Sequence, residues 1–231
     1  MHRVLVDVDT QHDFIHRDGA LYVAADASVL DRIEATLQAA DGDAGPYAAV
    51  VGSVDSHAFD AWEFEERGGP FPPHCVKGQR GWMRHFPELP RRQRFVPMTH
   101  GGPDEVRLSV GEATRGEGNR VFSPDDLARE ALDGVGLYFE KEVYSLFTND
   151  AAAPVLAALV ARLGGPANVR FEVIGYCTGG FCVDEAARGL AARGYEVAVL
   201  ADATAAIGGA EGQAKSRADL TPLGVRWEAS A

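Results

Sequence analysis

Short apolar runs, each delivering a charged or reactive residue at its C-terminal end, are the feature that most restricts how this chain can fold. Val4-Leu5-Val6-Asp7-Val8 leads into Asp9, and Ala48 to Val54 leads into Asp55 and His57. Runs this brief and this apolar read as strands buried on both faces. Gly136 to Phe139, Val169 to Ile174 and Glu196 to Ala201 continue the series. Between them, Ser28 to Ala40 carries apolar residues at Val29, Leu30, Ile33, Leu37 and Ala40, a helical spacing, and Ala151 to Leu163 and Cys182 to Arg193 also read as helices. Ser123-Pro124-Asp125-Asp126 has the N-cap serine, early proline and acidic first turn of a helix start. Strands alternating with helices predict an α/β fold, here a single-domain three-layer α/β/α sandwich with a mostly parallel sheet.

The alternation is interrupted once. From about residue 56 to 123 periodicity fades and Gly, Pro, Arg and aromatics dominate, a long irregular insertion within one domain spanning 1–231. Its Arg-rich stretch, Arg84 to Arg94, reads as a solvated loop. A formal net charge of −12 leaves no basic stripe to neutralise nucleic-acid phosphates. No apolar run approaches the roughly 20 residues that cross a bilayer, and the first residues lack a signal-peptide layout. Three cysteines, Cys75, Cys177 and Cys182, are an odd number and too few for a disulfide scaffold, so a reducing cytoplasm is expected.

In an open parallel sheet, reactive groups collect beyond the C-terminal strand ends. That edge receives Asp9, Asp55 with His57, Lys141, the segment Cys177 to Cys182, and Asp202. Cys182 opens a helix after Gly179-Gly180-Phe181, where the macrodipole favours thiolate and free backbone N–H groups can hold an oxyanion. The alternative is a small buried hydrophobe at a tight turn, and Cys177, within that turn, reads as packing. Lys141 is one of three lysines against nineteen arginines, so its place at a strand end is unlikely to be compositional noise; the alternative is a surface ion pair with Glu140 or Glu142. Asp9, Lys141 and Cys182 together suit an acid/base, a cation and a nucleophile.

A second constellation starts with Asp55 and His57, two apart, and ends with His74 after the rigid Pro72-Pro73. Carboxylate and imidazoles suit a divalent transition metal, with Asp60, Glu63, Glu65 or Glu66 able to complete the set. An acidic, solvated loop is the alternative. His12, His16, His85 and His100 have no such company and are not counted as ligands.

These pieces resemble the nicotinamidase branch of the isochorismatase-like cysteine hydrolases. Val8-Asp9-Thr10-Gln11-His12-Asp13-Phe14 resembles the opening V-D-x-Q-N-D-F, and Asp55-Ser56-His57 with Phe71-Pro72-Pro73-His74-Cys75 resembles the metal-site D-x-H and [FW]-P-P-H-C. Lys141 with Tyr144-Ser145-Leu146-Phe147 resembles K-x-x-Y-S-x-F, and Cys177-Thr178 through Cys182-Val183 resembles [AC]-T-x-x-C-V. Two departures stand out: three residues rather than two separate Thr178 from Cys182, and no histidine occupies the fourth metal position, where Glu63 has the expected offset and Glu66 is the alternative.

The resemblance implies a cysteine-dependent amidohydrolase that converts nicotinamide to nicotinate and ammonia through a thioester, a step of NAD salvage. It assigns catalysis to Asp9, Lys141 and Cys182, and substrate binding to Phe14, Phe71, Cys177 and Thr178. One divalent ion, Zn²⁺ first with Fe²⁺ or Mn²⁺ as alternatives, would sit on Asp55, His57, Glu63 and His74. The implied partner is a small-molecule amide, with no nucleic acid or membrane; homo-oligomers are common among relatives. Another small amide or carbamoyl compound as substrate, or a catalytically silent metal- or partner-binding relative, are the competing expectations.

Overall fold

The computed structural model describes residues 1–42, 45–98, 106–108 and 120–230. Along the chain run β1 (His2–Val8), α1 (His12–Ile15), α2 (Ala27–Ala40), β2 (Tyr47–Asp55), β3 (Arg92–Val96), β4 (Val106–Leu108) and β5 (Arg120–Phe122). Then follow α3 (Pro124–Leu132), β6 (Val135–Lys141), α4 (Ala152–Arg162), β7 (Val169–Thr178), α5 (Cys182–Ala191), β8 (Glu196–Ala206), α6 (Gly209–Leu220) and β9 (Arg226–Glu228). Seven strands form one sheet in the order β3-β6-β2-β1-β7-β8-β9, and every neighbouring pair is parallel.

The apolar runs explain the layering. Successive side chains on a strand point to opposite faces: Val4, Val6 and Val8 of β1 join a core cluster containing α3, α4 and α5, while Leu5 joins the cluster under α2. With both faces apolar, the central strands must be covered on both sides, which gives the three layers. The helix start at Ser123 is a capping box, in which Ser123 Oγ accepts from Asp126 N–H at 3.1 Å and Asp126 Oδ2 accepts from Ser123 N–H at 3.0 Å. No helix among the described residues is long and apolar enough to cross a membrane.

The insertion departs from the expectation of an irregular loop. β3 lies inside it and extends the sheet as an edge strand on β6, while β4 and β5 form a separate antiparallel pair. Nor is Arg84 to Arg94 a solvated loop: Arg84 is 5% exposed, its Nη2 donates to Asp7 Oδ2 at 2.6 Å, and its guanidinium stacks 3.9 Å from the Tyr138 ring centroid. Arg94 of β3 pairs with Glu130 of α3 through two contacts of 2.6 and 2.9 Å. Residues 99–105 and 109–119, including His100, lie outside the described residues.

Two strands run longer than their apolar cores. β7 continues through Cys177 and Thr178, so Cys177 is a strand residue rather than part of the turn. β8 continues to Ala206 and passes Asp202 midway. Asp202 accepts from Ser230 N–H and O–H at 2.7 and 2.8 Å, and so belongs to the chain's last residues rather than to the reactive edge.

Candidate active site and metal centre

Register brings the charged residues together. Asp55 and Lys141 are direct partners across β2 and β6, while Val8, the residue before Asp9, is paired with Ser53 on one side and Gly175 on the other. Asp9 turns the chain away from the sheet with φ of 49°, a left-handed conformation that costs a non-glycine residue about 1–2 kcal/mol. It is held there by its N–H to Ser53 O (3.1 Å) and by Ser53 Oγ, which donates to Asp9 Oδ1 at 2.7 Å. Among the described residues, the other positive-φ side-chain-bearing residue, Cys75 (44°), is pinned by Asp13 Oδ2, which accepts its N–H at 2.7 Å.

Lys141 is wholly buried, and its ammonium lies 2.8 Å from Asp9 Oδ2, 3.2 Å from Asp55 Oδ1 and 3.5 Å from Cys182 Sγ. The surface ion pair does not form: Glu140 binds Lys77 and Glu142 accepts from Ala58 N–H. Burial works against the ammonium, but the Asp55 and Asp9 carboxylates overcome it and hold its pKa well above the usual lysine value. Burial raises Asp9, with Lys141 pulling the other way. Burial also pushes the Cys182 thiol well above its ordinary value. The trio therefore rests as thiol, ammonium and a carboxylate of raised basicity.

The three-residue approach to Cys182 has its own fastening. Gly179 and Gly180 both have φ of 101°, and a Cβ on Gly179 would lie 2.7 Å from Ile207 O, so glycine is required there. Gly179 N–H donates to Ser216 Oγ at 2.6 Å, Gly180 N–H donates to Asp184 Oδ2 at 2.7 Å, and Ser216 O–H donates to the same Asp184 oxygen at 2.6 Å. Asp184 comes from the first turn of α5 and is 0% exposed. Both glycine amides are thus committed to the clamp, which directs the search for oxyanion donors to the backbone nearer Cys182, at the free start of α5.

Beside the trio, one atom each of Asp55, His57, Glu63 and His74 falls within 4.8 Å of the other three, and all four residues are buried. His57 Nε2 is 3.0 Å from Asp55 Oδ2 and 2.9 Å from Glu63 Oε1; His74 Nε2 is 3.2 Å from each of the same oxygens. His74 Nδ1 lies 2.8 Å from Pro72 O, which turns Nε2 inward. Burial lowers both imidazoles, yet hydrogen bonds to Asp55 and Glu63 outweigh it and lift each to about 9. Asp55, which burial alone would raise, is held well below the carboxylate range by Lys141 and the two histidines. Nitrogen and oxygen atoms at such separations fit ligands sharing one ion at bond lengths of about 2.0–2.2 Å. The donor set therefore fits a divalent transition metal. Glu63 supplies the fourth position; Glu65 and Glu66 are exposed, and Asp60 is exposed and paired with Arg67.

A small cavity of about 30 Å³ opens over both groups, lined by Phe14, Phe71, Tyr144, Phe181 and Cys177 among others, with Asp55, Glu63, His74 and Cys182 in its wall. Phe14 and Phe71 meet the His74 ring edge-on at 6.0 and 5.8 Å. Thr178 is buried behind this wall, its hydroxyl without a hydrogen-bond partner. Sequence reasoning left several contributors without a role. Gln11 brackets Asp55, its Nε2 donating to Asp55 O at 2.8 Å and its Oε1 accepting from Asp55 N–H at 2.7 Å. Ser53, Tyr144, Phe181 and the Asp184–Ser216 pair were also unassigned. Gln11 stood inside the Val8-to-Phe14 motif; the clamp had only the paired glycines as a signal.

No protein-family model matches the chain, and no curated protein matches it in sequence. Solved structures do match in shape. The L. infantum protein PnC1 in complex with nicotinate is 23% identical, with a TM-score of 0.65 over 99% of this chain and 93% of that one. The pyrazinamidase of Pyrococcus horikoshii in complex with zinc is 22% identical, with a TM-score of 0.65 over 99% of both chains. N-carbamoylsarcosine amidase from Thermoplasma acidophilum is 20% identical, with a TM-score of 0.59 over 100% of this chain and 97% of that one. The chain has the three-layer α/β fold of solved nicotinamidases, pyrazinamidases and this amidase.

Proposed function

We propose that the protein is a cysteine-dependent amidohydrolase acting on a small aromatic carboxamide, with nicotinamide the first candidate. The observation that carries this reading is the position of Lys141 Nζ, within 3.5 Å of the Asp9 carboxylate, the Asp55 carboxylate and the Cys182 sulfur at once. A cation so placed serves both a proton transfer between Asp9 and Cys182 and the charge that develops beside them.

In this mechanism Asp9 takes the Cys182 thiol proton as sulfur attacks the carboxamide carbon. Backbone N–H groups near Cys182 hold the resulting oxyanion. Collapse breaks the C–N bond, and the proton on Asp9 passes to the leaving nitrogen, which departs as ammonia. Asp9 then accepts a proton from water as the water oxygen attacks the thioester, and the proton returns to sulfur as the carboxylic acid leaves. Because the free thiol is held protonated by burial, attack is coupled to a seated substrate. Phe14 and Phe71 would flank an aromatic ring, an arrangement that favours aromatic amides. Asp55, His57, Glu63 and His74 would hold a divalent cation, Zn²⁺ first, which supplies a coordination position for a ring nitrogen of the substrate.

The shared fold of the carbamoylsarcosine amidase supports a second reading, hydrolysis of a carbamoyl compound by the same trio. Ammonia release from nicotinamide, pyrazinamide, benzamide and an N-carbamoyl amino acid separates the two. The primary reading expects fastest turnover of the two ring-nitrogen amides, loss of that turnover on metal stripping, and none from Cys182→Ala. Benzamide turning over as fast as nicotinamide, or full activity without metal, would refute it.

A further inference from the structure

We propose that His12, His16 and Asp18, with His85 set against His16, form a second site for a divalent transition-metal ion. Local spacing relates only His12 and His16, because His85 lies 69 residues from His16. The fold unites them. One ligand atom from each of His12, His16 and Asp18 falls within 4.8 Å of the other two, and His16 Nε2 lies 2.9 Å from His85 Nδ1. The His12 and His16 rings stack with centroids 4.2 Å apart, and the His16 and His85 rings lie 4.9 Å apart.

The unexplained member is His12. It is 9% exposed, and neither ring nitrogen has a hydrogen-bond partner. A buried imidazole left unpaired is costly, so its nitrogen calls for a partner. The nearest carboxylate oxygen, Asp18 Oδ1, stands 3.6 Å from Nε2, too far for a hydrogen bond. Arg80 Nη1 donates to the other Asp18 oxygen at 3.2 Å and leaves Oδ1 toward His12. An ion between them would use both atoms. Imidazole nitrogens with one carboxylate select zinc, cobalt, nickel or copper over magnesium or calcium.

The site shares no residue with the Asp55 centre. It joins α1 to the segment that follows it in space, where His12 N–H already donates to Met83 O at 2.9 Å and His85 N–H donates to Thr10 O at 2.7 Å. Thr10 and Gln11 connect this site to Asp9. A bound ion would therefore brace the strap that leads out of the candidate base.

The test is a Zn²⁺ titration of the full chain after chelator treatment and desalting, read by calorimetry. Wild type should bind two equivalents, His57→Asn/His74→Asn one, and His16→Asn/His85→Asn one. Asp18→Ala, an exposed change that leaves the fold intact, should weaken only the second equivalent by about tenfold or more, at least the loss expected when an outer-shell partner is removed. Zn²⁺ binding that is unchanged in both Asp18→Ala and the His16/His85 variant, whatever the number of equivalents in wild type, overturns the proposal. Failure of the Asp55 centre alone would instead remove the equivalent that the His57/His74 variant lacks.

Discussion

Asp184→Ala should loosen the turn that presents Cys182, and the size of the effect follows from what the carboxylate holds. One Asp184 oxygen accepts from Gly180 N–H and Ser216 O–H, and Ser216 in turn accepts from Gly179 N–H. Hydrogen bonds to a charged acceptor are worth about 1.5–3 kcal/mol each. Part of this is offset by burying the carboxylate, whose pKa burial raises despite Ser216 and Gly180. A net loss of about 2–4 kcal/mol remains, which for a chain of this size lowers the melting temperature by about 4–16 °C. The cost should reach chemistry as well, since misplacing a reacting group by about 1 Å can cost about 100-fold. Asp184→Asn keeps an acceptor of the same shape and should stay near wild type. The raised pKa fixes the sign with pH: the folded state holds the proton more tightly than the unfolded one, so stability falls as pH rises from 3.8 through the raised value, and the Asn variant loses that slope. Thermal melts, kcat for ammonia release and the rate of iodoacetamide labelling at Cys182 measure the three consequences. An Ala variant that melts within about 2 °C of wild type, with kcat unchanged, would refute the clamp.

Lys141→Met should abolish turnover by about 10³-fold, because Asp9, already raised by burial, then keeps its proton and cannot serve as base; a loss under tenfold would contradict this. With Asp9 raised above 3.8, the base form is lost as pH falls, so the acid limb of kcat/KM should bend above 3.8; an inflection at or below that value removes Asp9 as the base. The Cys182 thiol is pushed well above 9.0, so alkylation of the substrate-free protein should stay slow up to pH 9.0 and accelerate beyond it. Arg84→Met strands Asp7, a 0% exposed carboxylate, and should cost about 3–5 kcal/mol in denaturant melts, whereas a solvated Arg84 would cost almost nothing.

The sheet was legible because buried parallel strands announce themselves as apolar runs, and β1, β2, β6, β7 and β8 do. β3 was not, since Arg92-Gln93-Arg94 satisfies its edge with charge and meets Glu130 only through folding. The strand ends named the residues of the candidate trio, but not their contacts: only β-sheet register places Asp55 opposite Lys141. Polar residues inside β8 hide its length from its apolar pattern, so Asp202 reads as terminal although it is internal. Glu63 and Glu66 could be separated by spacing only through the family resemblance; burial separates them physically. The His12–His16–His85 cluster is not legible because His85 comes from a segment 69 residues away that nothing in local spacing relates to the His12–His16 pair.

Asp55 explains why the two halves of the site belong to one device. Its Oδ1 lies 3.2 Å from Lys141 Nζ, and its Oδ2 lies 3.0 and 3.2 Å from His57 and His74. Gln11 fixes its backbone from both sides, so neither oxygen is free to drift toward one neighbour. Attraction from Lys141 lowers the basicity of the carboxylate, and an ion on Oδ2 would lower it further, while Asp9 keeps the raised basicity that a proton acceptor needs. Two buried carboxylates on one ammonium thus acquire opposite characters from their remaining neighbours: Asp55 faces imidazoles and stays ionised, while Asp9 faces a thiol and a serine hydroxyl and can take a proton. That division of labour, set by surroundings rather than residue type, would let the proposed acid/base chemistry and metal binding operate a few ångströms apart.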